Sequence, residues 1–121
     1  MLAKALNELA TPDGHDVYSL REKFGPSTPD VEWINVLANE RNWVIISQDR
    51  FAKKDGLEKE AIKKSGLMVF CLKKAWSGQK YWDKAYHLVK WFPLIAAQAQ
   101  AITGGAAFWV PLNGKKFEQI L

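Results

Sequence analysis

The sequence predicts an α/β fold, a three-layer, doubly wound and mostly parallel sheet between helices, and three observations carry this. Residues 43–47 (W-V-I-I-S) and 67–72 (L-M-V-F-C-L) are short apolar runs of the kind buried on both faces of a parallel sheet. Segments with apolar residues at helical spacing lie before, between and after them, so helix and strand alternate with short connections. The chain has 121 residues, 48% of them hydrophobic and 25% charged, which fits one domain with a real core and excludes a disordered or fibrous chain.

Leu2, Ala5, Leu6 and Leu9 predict a first helix that stops at the turn Thr11-Pro12-Asp13-Gly14. Residues 15–20, with Val17 and Leu20, are expected to form a strand, followed by the turn-rich loop F-G-P-S-T-P at 24–29. Thr28 can cap a second helix, Pro29 suits its first turn, and Trp33, Ile34, Leu37 and Ala38 give it one apolar stripe from Asp30 to about Arg41. The strand 43–47 ends at Gln48-Asp49. A charged helix is predicted over 56–64, and Gly66 leads into the second buried strand. Over 79–103 the residues Trp82, Ala85, Tyr86, Val89, Phe92, Ala96 and Ala99 predict the inward face of a long helix, which Pro93 should kink or split and Gly104-Gly105 should end. Residues 106–112 form a last strand, and 113–121 are either a loose tail or a final turn.

The formal charge is +4, unevenly spread. Residues 1–49 carry four basic and eight acidic groups, residues 50–121 thirteen basic and five acidic. Cys71 is the only cysteine, so an intrachain disulfide, a thiolate zinc cluster and a redox pair are all excluded. The first ten residues are too broken by Lys4, Asn7 and Glu8 for a signal peptide, and no apolar stretch approaches the roughly 20 residues of a membrane span. A cytoplasmic protein without membrane partners is expected. Phosphate-binding, dinucleotide, nucleophile-elbow and H-E-x-x-H motifs are missing, and His15 and His87 are too far apart in sequence to suggest a triad.

Ligands of open α/β sheets bind beyond the carboxyl ends of the strands, which brings Asp49 forward, with Ser47 and Gln48 beside it. Asp49 either serves that edge or only starts a turn. Asp30, in the first turn of its helix, belongs at the same edge or merely complements the helix dipole. Glu32 is the neighbouring alternative. Two such carboxylates suit magnesium or manganese, which prefer oxygen ligands. Arg50, Lys53, Lys54, Lys59, Lys63, Lys64, Lys73 and Lys74 could hold an anionic polymer, or could be a solvated charge run. Trp76, in the loop A-W-S-G-Q, is either a surface on which a base stacks or a core packer.

The motifs T-P-D-V-E-W-I, W-V-I-I-S-Q-D-R-F and G-L-M-V-F-C-L resemble the PIN-like nuclease superfamily, and more narrowly the small VapC-type proteins of toxin–antitoxin systems. The resemblance implies acids gathered at the sheet edge that bind magnesium or manganese and hydrolyse RNA. Asp30 takes the place of the acid entering the second helix and Asp49 that of the acid after the third strand, with Asp83 the nearest match to a fourth. Ser47, Arg50, Lys53, Lys54, Lys73, Lys74 and Trp76 are the expected RNA contacts. An antitoxin protein and a second copy of the chain are the expected protein partners.

One departure from the family is large. The family opens on a central strand that bears its first catalytic aspartate, whereas this sequence opens on the helix that follows. An N-terminally truncated single domain over 1–121 is therefore expected, or a degenerate form stabilised by a partner strand or by direct pairing of the flanking strands. The expected function is a metal-dependent ribonuclease of low rate; the alternative is a non-catalytic module that binds nucleic acid or protein.

Overall fold

The computed structural model of the chain describes residues 2–19, 30–40, 43–47, 64–102 and 105–120, with Leu2, Asp13, Asp30 and Val31 described by their backbone alone. In chain order these form helix α1 (Leu2–Ala10), a 3-10 turn (Thr11–Asp13), helix α2 (Asp30–Glu40), strand β1 (Val44–Ser47), strand β2 (Met68–Leu72), a second 3-10 turn (Lys74–Gly78), helix α3 (Tyr81–Ala101), strand β3 (Ala106–Val110) and strand β4 (Glu118–Gln119). The sheet has the order β1-β2-β3-β4. β1, β2 and β3 run parallel, and β4 returns antiparallel to β3. This is the expected α/β fold.

Both faces of the sheet are covered because the residues of β2 alternate between two apolar layers. Met68, Phe70 and Leu72 point to the side of α1 and α3, where they meet Leu6, Trp91, Ile95 and Phe108. Val69 and Cys71 point to the side of α2 and meet Trp33, Ile34 and Leu37. Phe70 and Phe108 are register partners, and their rings stack at 5.6 Å. Cys71 is buried and packs as a small apolar group.

α1 ends where the sequence expects. Gly14 has φ 82°, a left-handed conformation that glycine adopts without penalty, and its N–H donates to the Thr11 carbonyl at 2.9 Å. The segment after it differs from expectation: 15–19 are described but form no strand. Their backbone is tied instead to α1, through the Val17 N–H donating to Asn7 Oδ1 at 2.8 Å. β1 also differs, since among the described residues it is an edge strand with Val44 exposed and the rest half-buried, so of the two runs expected to be buried on both faces only β2 is. The helix expected over 56–64 lies outside the described residues but for Lys64. The final residues make a turn and pair as β4.

The long helix departs from the sequence reading in two ways. It is continuous through Pro93, which lies on the exposed side where water can take up the Val89 carbonyl that proline leaves without a donor. Its buried residues are Leu88, Trp91 and Ile95; of the expected stripe, Phe92 and Ala99 pack half-buried against the same core, whereas Trp82, Tyr86 and Val89 are exposed. Apolar residues occur on nearly every side of α3, so periodicity alone could not select the face that meets the sheet. None of the described helices is long and apolar enough to cross a membrane.

The two faces of α3 make a direct comparison. Trp91 is 1% exposed and Trp82 81% exposed, so Trp91→Ala should cost about 3–5 kcal/mol and Trp82→Ala no more than about 0.5 kcal/mol. Equilibrium denaturation of both variants measures this; similar losses at the two sites would contradict the assigned orientation.

Candidate functional site

The parallel strands end at one edge of the sheet, on Ser47, Leu72 and Val110. α2 feeds into the start of β1, so its own start, at Asp30, lies back towards the carboxyl edge. α3 leaves β2 through the 3-10 turn, which puts its first turn, with Asp83, at that edge too. The topology thus gathers Asp30, Ser47 and Asp83 on the side where α/β sheets bind ligands.

The 3-10 turn after β2 is fixed from below. The Val110 carbonyl accepts two hydrogen bonds, from the Lys73 N–H and from the Trp76 indole Nε1–H, each at 3.0 Å. Trp76 is wholly buried, so it has no ring face to offer a base, and its role is to anchor this turn into the core. Its indole donor is satisfied by a backbone carbonyl, as a buried tryptophan requires. That anchoring presents Lys74 and Ser77 at the surface, with the Ser77 hydroxyl donating to the Lys74 carbonyl at 2.7 Å. Lys73 is half-buried and held by Glu118 of β4 at 2.6 Å. Of the two expected lysine contacts here, Lys74 is exposed and Lys73 is engaged across the sheet.

The acids are less gathered. Glu32 and Asp83 are both exposed, and no three His, Cys, Asp or Glu side chains come together to hold a metal among the described residues. The described residues therefore do not by themselves make a donor set for magnesium or manganese. Asp49, Arg50, Lys53 and Lys54 lie outside the described residues. Ser47 closes β1, half-buried, at the edge where Asp49 follows in sequence.

Beside β1 lies a cavity of about 1870 Å³, lined among others by Val17, Tyr18, Ile45, Leu88 and Phe92. Its lining includes β1 and residues 14–19, the expected strand that is not in the sheet, together with residues of all three helices. β1, β2 and β3 pair directly and without a gap, so among the described residues the sheet is open only on the outer side of β1 and beyond β4.

The sequence pattern brought forward Tyr81 beside Trp76 but not the exposed rings of Trp82 and Tyr86 at the start of α3. Tyr81, Trp82 and Tyr86 are 45%, 81% and 64% exposed. The available signal was the interleaving of lysines with these rings in K-Y-W-D-K-A-Y, which a buried face would not tolerate.

A mostly parallel α/β sheet with helices on both faces defines the class. The sequence profile described as PIN like domain matches residues 1–74, more than half of the chain, and the chain belongs to the PIN-like domain family. The match contains both acidic motifs and β2, and ends before α3. No curated protein and no solved structure matches the chain.

Trp76→Phe keeps a ring in the core but loses the bond to Val110, and should lower stability by about 1–3 kcal/mol in chemical denaturation. Unchanged stability together with weakened RNA binding would instead make Trp76 a stacking surface.

Proposed function

We propose that this chain is a metal-dependent ribonuclease of the PIN-like type, of the kind that serves as the toxin of a toxin–antitoxin pair. The single observation that carries the reading is the family match over 1–74, which includes Asp30 and Asp49. These two carboxylates are the proposed ligands of magnesium or manganese, with Glu32 and Asp83 as the further acids of the same edge. A metal ion held there supplies activation of water and neutralisation of charge at phosphorus. The chain's own contribution is to hold the acids at the end of the sheet and the RNA backbone on its basic half, through Arg50, Lys53, Lys54 and Lys74. Lys73 can join them by exchanging Glu118 for a phosphate, because a partly exposed ion pair contributes only about 0–1 kcal/mol.

A second reading is a non-catalytic module of the same family that binds nucleic acid or a partner protein without cleaving. Among the described residues β1 has a strand on one side only, and β1 and residues 14–19 both line the cavity there. A further strand beside β1 that carried the family's first aspartate would complete the site of the nuclease reading, and without it the module would bind only. Translation of the DNA upstream of the Met1 codon tests this. An in-frame apolar strand ending in aspartate is expected under the nuclease reading, and stop codons there would favour the non-catalytic one.

Cleavage of RNA with magnesium or manganese tests the nuclease reading itself. Changing groups that only orient a metal's ligands commonly costs about 10–100-fold, so Asp49→Asn, which removes a proposed ligand, should lose at least that much. Equal cleavage by the two proteins would remove Asp49 from the site.

A further inference from the structure

The first two turns of α3 carry a surface that the family match does not reach and that the core does not need. Trp82 and Tyr86 are one helical turn apart on the same face, about 6 Å along the axis, and both are largely exposed. The rings are held in place. Tyr81 stands edge-on to Trp82 at 5.7 Å, and His87 edge-on to Tyr86 at 5.3 Å. His87 in turn meets the buried ring of Trp76 at 6.0 Å, and its Nδ1–H donates to the Asp83 carbonyl at 2.8 Å. A chain of ring contacts therefore ties the exposed tyrosine to the core.

Charge says what such a surface would meet. Residues 73–90 contain five lysines and one acid, Asp83. Lys74 and Lys80 lie exposed before the rings, and Lys90 lies exposed one turn beyond Tyr86. A protein-docking face enriched in tryptophan and tyrosine is normally depleted in lysine. Rings alternating with lysines are instead what a single nucleic-acid strand requires, because bases stack on the rings while phosphates pair with the cations. A duplex keeps its bases stacked on each other and cannot use the rings in this way.

We propose that Trp82 and Tyr86, flanked by Lys74, Lys80 and Lys90, form a stacking platform for single-stranded RNA at the start of α3. The platform rests on the reading that the chain acts on RNA, but not on cleavage. It lies at the same edge as the proposed acids and holds a strand approaching them.

The test is binding of a fluorescently labelled oligouridylate of about ten nucleotides to the full chain in EDTA, followed by anisotropy. Each of Trp82→Ala and Tyr86→Ala is expected to weaken binding by about 5- to 150-fold, while Trp82→Phe keeps most of it and the melting temperature stays that of the wild type. Lys80→Ala should reduce the slope of log affinity against log salt by about 0.7, which Trp82→Ala should leave alone. Wild-type affinity in both ring variants, equal binding of a duplex of the same length, or no binding by the wild type would overturn the platform. So would sedimentation showing a dimer that Trp82→Ala dissociates, since the rings would then be a self-interface. Metal-dependent cleavage by wild type and Asp49→Asn is measured alongside: cleavage that needs Asp49 with ring variants that bind normally removes only the platform, and ring-dependent binding without cleavage removes only the nuclease.

Discussion

Every residue of β2 is buried, and Val69, Phe70 and Cys71 are sealed from solvent completely. Backbone N–H and C=O groups in such a place must be paired, since each one left without a partner costs about 1–3 kcal/mol. β2 is therefore obliged to have a strand on each side, and β1 and β3 supply them over its whole length but for one residue beside β1. Because all three run the same way, each connection must cross back over a face of the sheet. The crossover from β2 to β3 is α3, and the need to cover Phe70 and Phe108 selects Leu88, Trp91 and Ile95 as its buried face.

The lengths of these elements explain why part of α3 is left uncovered. A strand of five residues such as β2 spans about 17 Å, whereas the 21 residues of α3 span about 32 Å. The helix is nearly twice as long as the strands it crosses, so it overshoots the sheet. Its first fully buried residue is Leu88, two turns in. Tyr81, Trp82 and Tyr86 belong to the overshoot, at the carboxyl edge, and their exposure is a consequence of geometry rather than a defect of packing.

How much of this was legible in the sequence depended on how unambiguous each local pattern was. L-M-V-F-C-L has no polar residue and can only be interior, so β2 was readable, and Pro12 and Gly14 marked their turn by backbone chemistry alone. The 15–19 segment has the composition of a strand, yet a strand exists only beside a partner, and here Asn7 takes the Val17 N–H instead. α3 failed for the opposite reason, having too many apolar residues for the inward face to be identified. At the site, the acids were found through their motifs, and the structure puts the start of α2 at the expected edge. Trp76, which the pattern left open between stacking and packing, is interior because its indole N–H reaches the Val110 carbonyl, and Trp82, placed on the inward stripe, is exterior because the helix outruns the sheet.

The start of α3 also carries a cost that its own stability does not explain. Lys80 occupies the N-cap without a side-chain cap bond, where a serine, threonine or aspartate would contribute about 0.5–2 kcal/mol. Lys80 and Lys84 add positive charge at the positive end of the helix dipole, against about 0.3–1 kcal/mol for a favourable charge there, and Asp83 is the only acid of the first turn. An isolated helix start would favour the opposite composition. An anion brought to this turn from outside would offset the lysines and complement the dipole at once. The phosphates of the proposed RNA strand would be such an anion, so the same composition that weakens the free helix end would strengthen it with a strand bound.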